Sequence, residues 1–488
     1  MNPPAKKPKN KVSRVIGASN KCPVAEKCGG CSYAGKTYFE QAAAKEKRVR
    51  RLIEPFCEVL PIHLCEHPLY YRNKVHSQFK RLRNGHVIVG PYESGSHRIV
   101  EVDSCLIENK TASAIIRDCA KLAEKLNVEI YNEVKHTGDL RRILVRTADA
   151  TGEVMVVLVI GSKYFKKKKI FTDELLKLHP EITTLLININ QRSDSMILGG
   201  DGSKKITGEG YITDIILGKK FRVSPDSFMQ SNHEQAEALY TEAVRLAEFT
   251  GSEICIDAYC GTGSTTLSFA PYVKSITGVE INESAYKDAL KNKIANKMKN
   301  AEFVLGDATK YMTEIAGAET GINTVILDPT RAGTTKEFIK ACGKLGPSKI
   351  VYISCCPETL ARDLTGFRLL GFAPKIAKPV DMFPWTDSVE TVVLLGWKGN
   401  KDDYTYIDYE PDHSEVEHGK ATYREITEYV QQKYGFHVTH LNIAQTKDKL
   451  GLEKRDNYNL GKDGHRVPKC PKEKEAAIIE ALKHFNVI

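Results

Sequence analysis

From Cys22 to about Lys220 the chain carries short runs in which apolar and polar residues alternate: HSQFKRL, HVIVGPY, RILVRTA and EVMVVLVIG, punctuated by Gly and Asn. A period of two marks strands with one buried face, so this stretch is read as β-rich. Tyr38 to Ile53 instead has helical spacing. From about Phe221 to Lys398 the rhythm changes. Apolar runs (EICIDAY, SITGVEI, AEFVLG, TVILD, IVYIS) alternate with stretches of helical period, which predicts a parallel sheet with crossover helices. Beyond Gly399 come an acidic linker, Asp402 to Glu417, and a helix-rich tail. There KATYREITEYVQQKYG sets Tyr423, Ile426, Val430 and Tyr434 at helical spacing, and further helices are expected from about Leu441 to Lys449 and from Lys472 to His484.

A chain of 488 residues is too long for one ordinary core. The expected layout is a basic arm over 1–21, a β-rich domain over 22–220, a doubly wound α/β domain over 221–400, and a linker with a small helical domain over 401–488. The arm has six basic residues and no acidic one. The net charge of +10 suits a polyanionic partner. The run Lys166–Lys169 reads as a solvated loop. No apolar run is long enough to span a bilayer and no signal peptide is visible, so a cytoplasmic protein is expected, with no obligate protein partner evident. Thirteen cysteines, two of them adjacent (Cys355, Cys356), point in a reducing compartment to metal-binding, catalytic or buried thiols.

Chemistry-bearing residues gather at the ends of the predicted parallel strands. DAYCGTGSTTLSF, Asp257 to Phe269, follows one strand and opens a helix, with Gly261 and Gly263 letting a ligand approach the backbone. A dinucleotide site would ask for a third glycine where Thr266 stands, which disfavours an NAD-linked oxidoreductase. Glu280, Asp307 and Asp328 end the next three strands, along the edge where open α/β sheets bind ligands. The series is similar to the S-adenosylmethionine site of Rossmann-like methyltransferases. Cys355 ends a further strand and Glu390 opens the last one. Near the N-terminus, CPVAEKCGGC supplies Cys22, Cys28 and Cys31, and DSCLI offers Cys105. This is a thiolate-ligand pattern, and both zinc and iron–sulfur sites use four thiolates. YYRNKVHSQFKR, Tyr70 to Arg81, interleaves aromatic and basic residues that can stack on bases and hold phosphates.

Several motifs together resemble the 5-methyluridine RNA methyltransferases. Ser354-Cys355-Cys356-Pro357 matches that family's Ser-Cys-Asn-Pro. Asp381-Met382-Phe383-Pro384 and Val389-Glu390 follow in its order, and Phe228, Gln230 and Asn232 match its Phe-x-Gln-x-Asn. The likeness covers roughly residues 22–398. It implies a nucleophile at Cys355 and a base at Glu390. S-adenosylmethionine would be held by Gln230, Tyr259, Ser264, Glu280, Asp307 and Asp328. A four-iron four-sulfur cluster would sit on Cys22, Cys28, Cys31 and Cys105. Two departures stand out: Cys356 replaces the usual Asn, and Asp328-Pro329-Thr330-Arg331 replaces Asp-Pro-Pro-Arg. Arg331, where amine methylases carry an aromatic residue, argues against adenine methylation. Within the family the cluster cysteines point to 23S ribosomal RNA, with transfer RNA as the alternative. A non-catalytic RNA-binding protein of ribosome assembly is the rival from another class, and the complete residue set argues against it.

Overall fold

The structure, a computed structural model, describes residues 21–397 apart from 195 and 319, 423–450 apart from 437, and 470–485. Residues 1–20 of the basic arm and the acidic stretch Asp402–Glu417 lie outside them. Among the described residues no helix is long and apolar enough to cross a membrane.

A short helix, α1 (Ala25–Cys28), leads to α2 (Tyr38–Ile53), as its spacing predicts. Thr37 and Glu40 form a reciprocal cap at its start, satisfying two of its free N–H groups. Strand β1 (Glu58–Val59) follows, then β2 (Lys74–Arg81), β3 (Val87–Gly90), helix α3 (Lys110–Lys125), β4 (Leu140–Thr147), β5 (Val154–Ile160), α4 (Lys168–Leu178), β6 (Ile182–Ile189) and β7 (Ser203–Thr207). β2 to β7 form a six-stranded sheet in the order β3-β2-β4-β5-β6-β7. One face of it packs on α3 and α4 through Val75, Ile143, Val145, Ile115 and Phe171. The run Lys166–Lys169 is not all loop: Lys168 and Lys169 begin α4, and Lys169 pairs with Asp173 one turn on.

After the hairpin β8 (Ile212–Ile216) and β9 (Lys219–Val223) comes α5 (His233–Ala247). The remaining elements are β10 (Ile254–Asp257), α6 (Ser264–Phe269), β11 (Ser275–Glu280), α7 (Glu283–Ala295), β12 (Ala301–Leu305), α8 (Ala308–Ile315), β13 (Thr324–Leu327), α9 (Lys336–Leu345), β14 (Lys349–Ser354), α10 (Pro357–Leu369), β15 (Phe372–Val380) and β16 (Glu390–Trp397). Their strands form a sheet ordered β1-β15-β16-β14-β13-β10-β11-β12, parallel except for β16, which runs against both neighbours. Alternate residues feed opposite cores. Cys255, Ile276 and Val351 face α5, α6 and α7, whereas Ile256, Val325 and Tyr352 face α2, α8, α9 and α10. This is the doubly wound α/β domain that the alternating rhythm predicts.

The large sheet also recruits residues from well before 221. β1 adds an edge strand beside β15, and Val49 and Ile53 of α2 pack under the sheet. The attachment is polar as well as apolar. Lys45 on α2 and Asp381, after β15, form an ion pair of 2.6 Å with both side chains 0% exposed, and Lys45 also donates to the Phe383 carbonyl at 2.9 Å. Removing one partner of such a pair strands a buried charge. Lys45→Ala is therefore expected to destabilise the protein by roughly 3–5 kcal/mol, read from the denaturant midpoint; a loss typical of a surface pair would contradict this.

The described residues divide into two compact units, 21–397 and 423–485. In the second, α11 (Tyr423–Tyr434), α12 (His440–Lys449) and α13 (Lys472–His484) enclose Ile426, Val430, Ile443, Ile478 and Leu482. Of the expected stripe, Ile426 and Val430 are buried, Tyr434 is exposed with its hydroxyl meeting Glu480, and the Tyr423 side chain lies outside the described ones.

Candidate active site

Every sheet strand except β16 ends at one edge, and strand order reverses there between β10 and β13. A crevice at such a reversal is where ligands bind. On the β10 side, Gly261 and Gly263 adopt φ of +56° and +83°, open to glycine at no steric cost. A Cβ at Gly261 would face open space, whereas one at Gly263 would lie 2.8 Å from the Phe303 ring. The first glycine thus faces the crevice and the second allows close packing of α6. Gly261 N–H donates to Glu280 Oε2 at 2.9 Å and Asn282 N–H to Oε1 at 2.6 Å, which fixes the Glu280 carboxylate at the rim. Thr266, in place of a third glycine, donates its hydroxyl to Asp257 at 2.6 Å. Asp257 is fully buried, its other oxygen has no hydrogen-bond partner, and burial pushes its carboxyl up to about 7.

The remaining expected cofactor residues lie on the same edge. Ser264 opens α6, its hydroxyl 3.0 Å from that of Tyr240 on α5. The Tyr259 hydroxyl meets Thr334 at 3.1 Å, and Asp307 lies within electrostatic reach of it. Asp307 also caps α8, accepting from Lys310 N–H at 2.9 Å. Gln230 is buried in the loop before α5, where its carbonyl accepts from Asn73, and Asn232 donates to the Met382 carbonyl at 3.0 Å. Asp328 follows β13. It keeps an opening to solvent but is enclosed enough that burial, then the Glu390 and Asp257 carboxylates, raise its pKa well above the carboxylate range.

Because β16 is antiparallel, its first residue sits at the edge where the other strands end. Ser354 pairs with Thr391, and Cys355, in the bend that follows β14, lies within electrostatic reach of Glu390, the residue before Thr391. Burial, then the charges of Glu390 and Asp328, push the Cys355 thiol up to about 12, while Arg331 opposes them. Glu390 is 3% exposed and its Oε2 has no hydrogen-bond partner. Burial holds its carboxyl at about 7, against the pull of Arg331. Arg331 in turn donates to Ser388, two residues before Glu390, at 3.2 Å. Cys356 turns elsewhere, its sulfur 3.5 Å from Glu358, so the two cysteines have different surroundings.

Two features of this edge were not singled out from sequence. Tyr240 carries no motif. Asp363, eight residues past Cys355, accepts from the Tyr352 hydroxyl at 2.6 Å and from Thr334 N–H at 2.9 Å, joining α10 to the loop after Asp328. Nothing in its spacing marks it, since its partners belong to β14 and to the loop before α9.

Away from this edge, the four N-terminal cysteines share one neighbourhood. Burial, then Cys28 and Cys22, push the Cys31 thiol up to about 11, and burial, Glu108 and Cys31 among others push Cys105 up to about 12. A Cβ at Gly30 would lie 3.3 Å from the Cys28 sulfur. Cys31 and Cys105 pack with Trp385 and Tyr71. Among the described residues no three Cys, His, Asp or Glu side chains are drawn into a metal cage. Four half-buried thiols match in number and chemistry what a four-thiolate group requires.

The doubly wound sheet with acidic residues along its carboxyl edge defines a Rossmann-like methyltransferase fold. Comparison with known proteins agrees. The profile of the tRNA (uracil-5-)-methyltransferase family matches residues 38–398. An uncharacterized RNA methyltransferase of Halalkalibacterium halodurans is 37% identical over 77% of this chain and 83% of its own length. One of Clostridium tetani is 37% identical over 78% and 83%. Among solved structures, the tRNA (uracil-54, C5)-methyltransferase of Pyrococcus abyssi, in complex with S-adenosyl-L-homocysteine, is similar with a TM-score of 0.63 and 26% identity, covering 76% of this chain and 85% of that one. The chain belongs to the tRNA (uracil-5-)-methyltransferase family and is an RNA methyltransferase.

Proposed function

We propose that this enzyme methylates carbon 5 of uridine in 23S ribosomal RNA through a covalent bond between Cys355 and carbon 6 of the base, acting in the cytoplasm. The observation that carries the reading is the pairing across β14 and β16 that sets Cys355 against a buried, unpartnered Glu390. Carbon 5 of uracil is a poor nucleophile until a group adds to carbon 6, and a thiolate is suited to that addition. S-adenosylmethionine, when bound, supplies an electrophilic methyl group. Glu280 at the rim, the backbone at Tyr259, Gly261 and Ser264, and Gln230, Asp307 and Asp328 would hold it. Once carbon 5 carries the methyl group, ionised Glu390 removes its proton, the double bond reforms and the Cys355–carbon 6 bond breaks.

The four N-terminal cysteines would hold a four-iron four-sulfur cluster, and their resemblance-based association with ribosomal substrates supports the choice of RNA. The second reading, a transfer-RNA uridine, is favoured by the target of the Pyrococcus abyssi enzyme. Mapping 5-methyluridine in both RNAs from a strain lacking the gene decides. Loss from 23S RNA is expected; loss from transfer RNA alone establishes the second reading, and unchanged 5-methyluridine in both overturns the activity. Protein purified without oxygen is expected to be brown, with iron and acid-labile sulfide in near-equal amounts. Colourless, zinc-loaded protein would refute the cluster. Replacing Cys31 with serine should lower the melting temperature more than it weakens S-adenosylmethionine binding.

A further inference from the structure

Gln41, Lys45 and Arg48 lie four and three residues apart on α2, hence on one face. All three reach the segments that carry the reacting groups. Gln41 Oε1 accepts from Trp385 N–H at 2.9 Å, and Lys45 pairs with Asp381. Arg48 spans two segments. Its Nε and Nη2 donate to the two oxygens of Glu358 at 2.8 and 2.7 Å, and Nη1 donates to the Asp387 carbonyl at 3.0 Å. Glu358 is in the first turn of α10, three residues after Cys355, and also meets the Cys356 sulfur. Asp387 lies three residues before Glu390.

We propose that Arg48 is a positioning residue: it ties the first turn of α10 to the 381–389 loop and so sets the separation of the Cys355 thiol and the Glu390 carboxylate. The cysteine-bearing segment braces the same loop, with Tyr33 N–H donating to the Trp385 carbonyl at 3.0 Å. Trp385 holds a φ of +71°, a left-handed conformation that a bulky side chain adopts only when its surroundings impose it. An exposed ion pair contributes little to stability. Here the Arg48 and Glu358 side chains keep 31% and 46% exposure, so their loss leaves the fold intact. What is lost is alignment between two segments joined at this edge by a guanidinium fork, which lysine cannot reproduce.

The proposal rests on Cys355 and Glu390 being the reacting pair, so Cys355→Ala serves as the control in one set of assays. Arg48→Ala, Glu358→Gln and their combination are compared for kcat, KM for RNA, melting temperature, and the rate of adduct formation on RNA containing 5-fluorouridine. Each single variant should lose about tenfold to a hundredfold in kcat, with KM and melting near wild type. The double variant should be no worse than the weaker single one, and Arg48→Lys should recover only part of the rate. Wild-type rates, a raised KM with kcat unchanged, or additive losses in the double variant would overturn the role. If Cys355→Ala still forms the adduct, the nucleophile assignment fails instead.

Discussion

Cys355→Ala abolishes methyl transfer, and Cys356→Ala leaves it measurable: this is the expected result of separating the adjacent cysteines. Cys355 follows the end of β14 within electrostatic reach of Glu390, Asp328 and Arg331. Cys356 caps α10 from outside, beside Glu358. Only the first thiol therefore faces the edge where the substrate base would lie. RNA carrying 5-fluorouridine should trap the wild-type protein, because fluorine cannot leave carbon 5 as a proton does. A peptide map would show the adduct on Cys355; an adduct on Cys356 would exchange the roles. With its thiol held at about 12, Cys355 carries little thiolate at neutral pH, so adduct formation should also accelerate as pH rises.

Glu390→Gln should still form the adduct and accept the methyl group, yet release product slowly. In the proposed mechanism the base acts only after methyl transfer, so its loss should strand a methylated covalent complex, at a cost on the order of a hundred- to ten-thousand-fold in turnover. Mass spectrometry of the trapped species would identify it; wild-type turnover would remove Glu390 from the role. Because burial holds the carboxyl at about 7, the ionised base is lost as pH falls through that value, and wild-type turnover should fall with it.

The same shift bears on stability. A carboxyl with a folded pKa raised from 4.5 to about 7 contributes stability that is complete below 4.5 and is lost as pH rises through about 7. The loss runs at about 1.4 kcal/mol per pH unit within that window. Glutamine cannot ionise, so the variant should gain on wild type in melting temperature across the window and stay ahead above it. A pH-independent difference would sink this reading.

Much of the reactive edge was legible in the sequence. An apolar run places its last residue at a strand end, which is why Glu280, Asp328 and Cys355 were expected at the carboxyl edge and are found there. The helix Tyr38–Ile53 and the helices of the tail follow from spacing, which is a local property of the chain. Topology was not local. That β16 inserts antiparallel between β14 and β15, and so brings Glu390 beside Cys355, depends on pairing partners no single stretch encodes; the family resemblance supplied the expectation and the sheet its geometry. Thr266 read only as a missing glycine until its hydroxyl was seen on a buried Asp257. Gln41, Lys45 and Arg48 carry no motif, because nothing in a helical spacing names the partner of a polar residue. Their partners lie more than 300 residues away, and only the packed structure, which buries Lys45 against Asp381 at zero exposure, decides that this face of the helix holds the 381–389 loop and the first turn of α10.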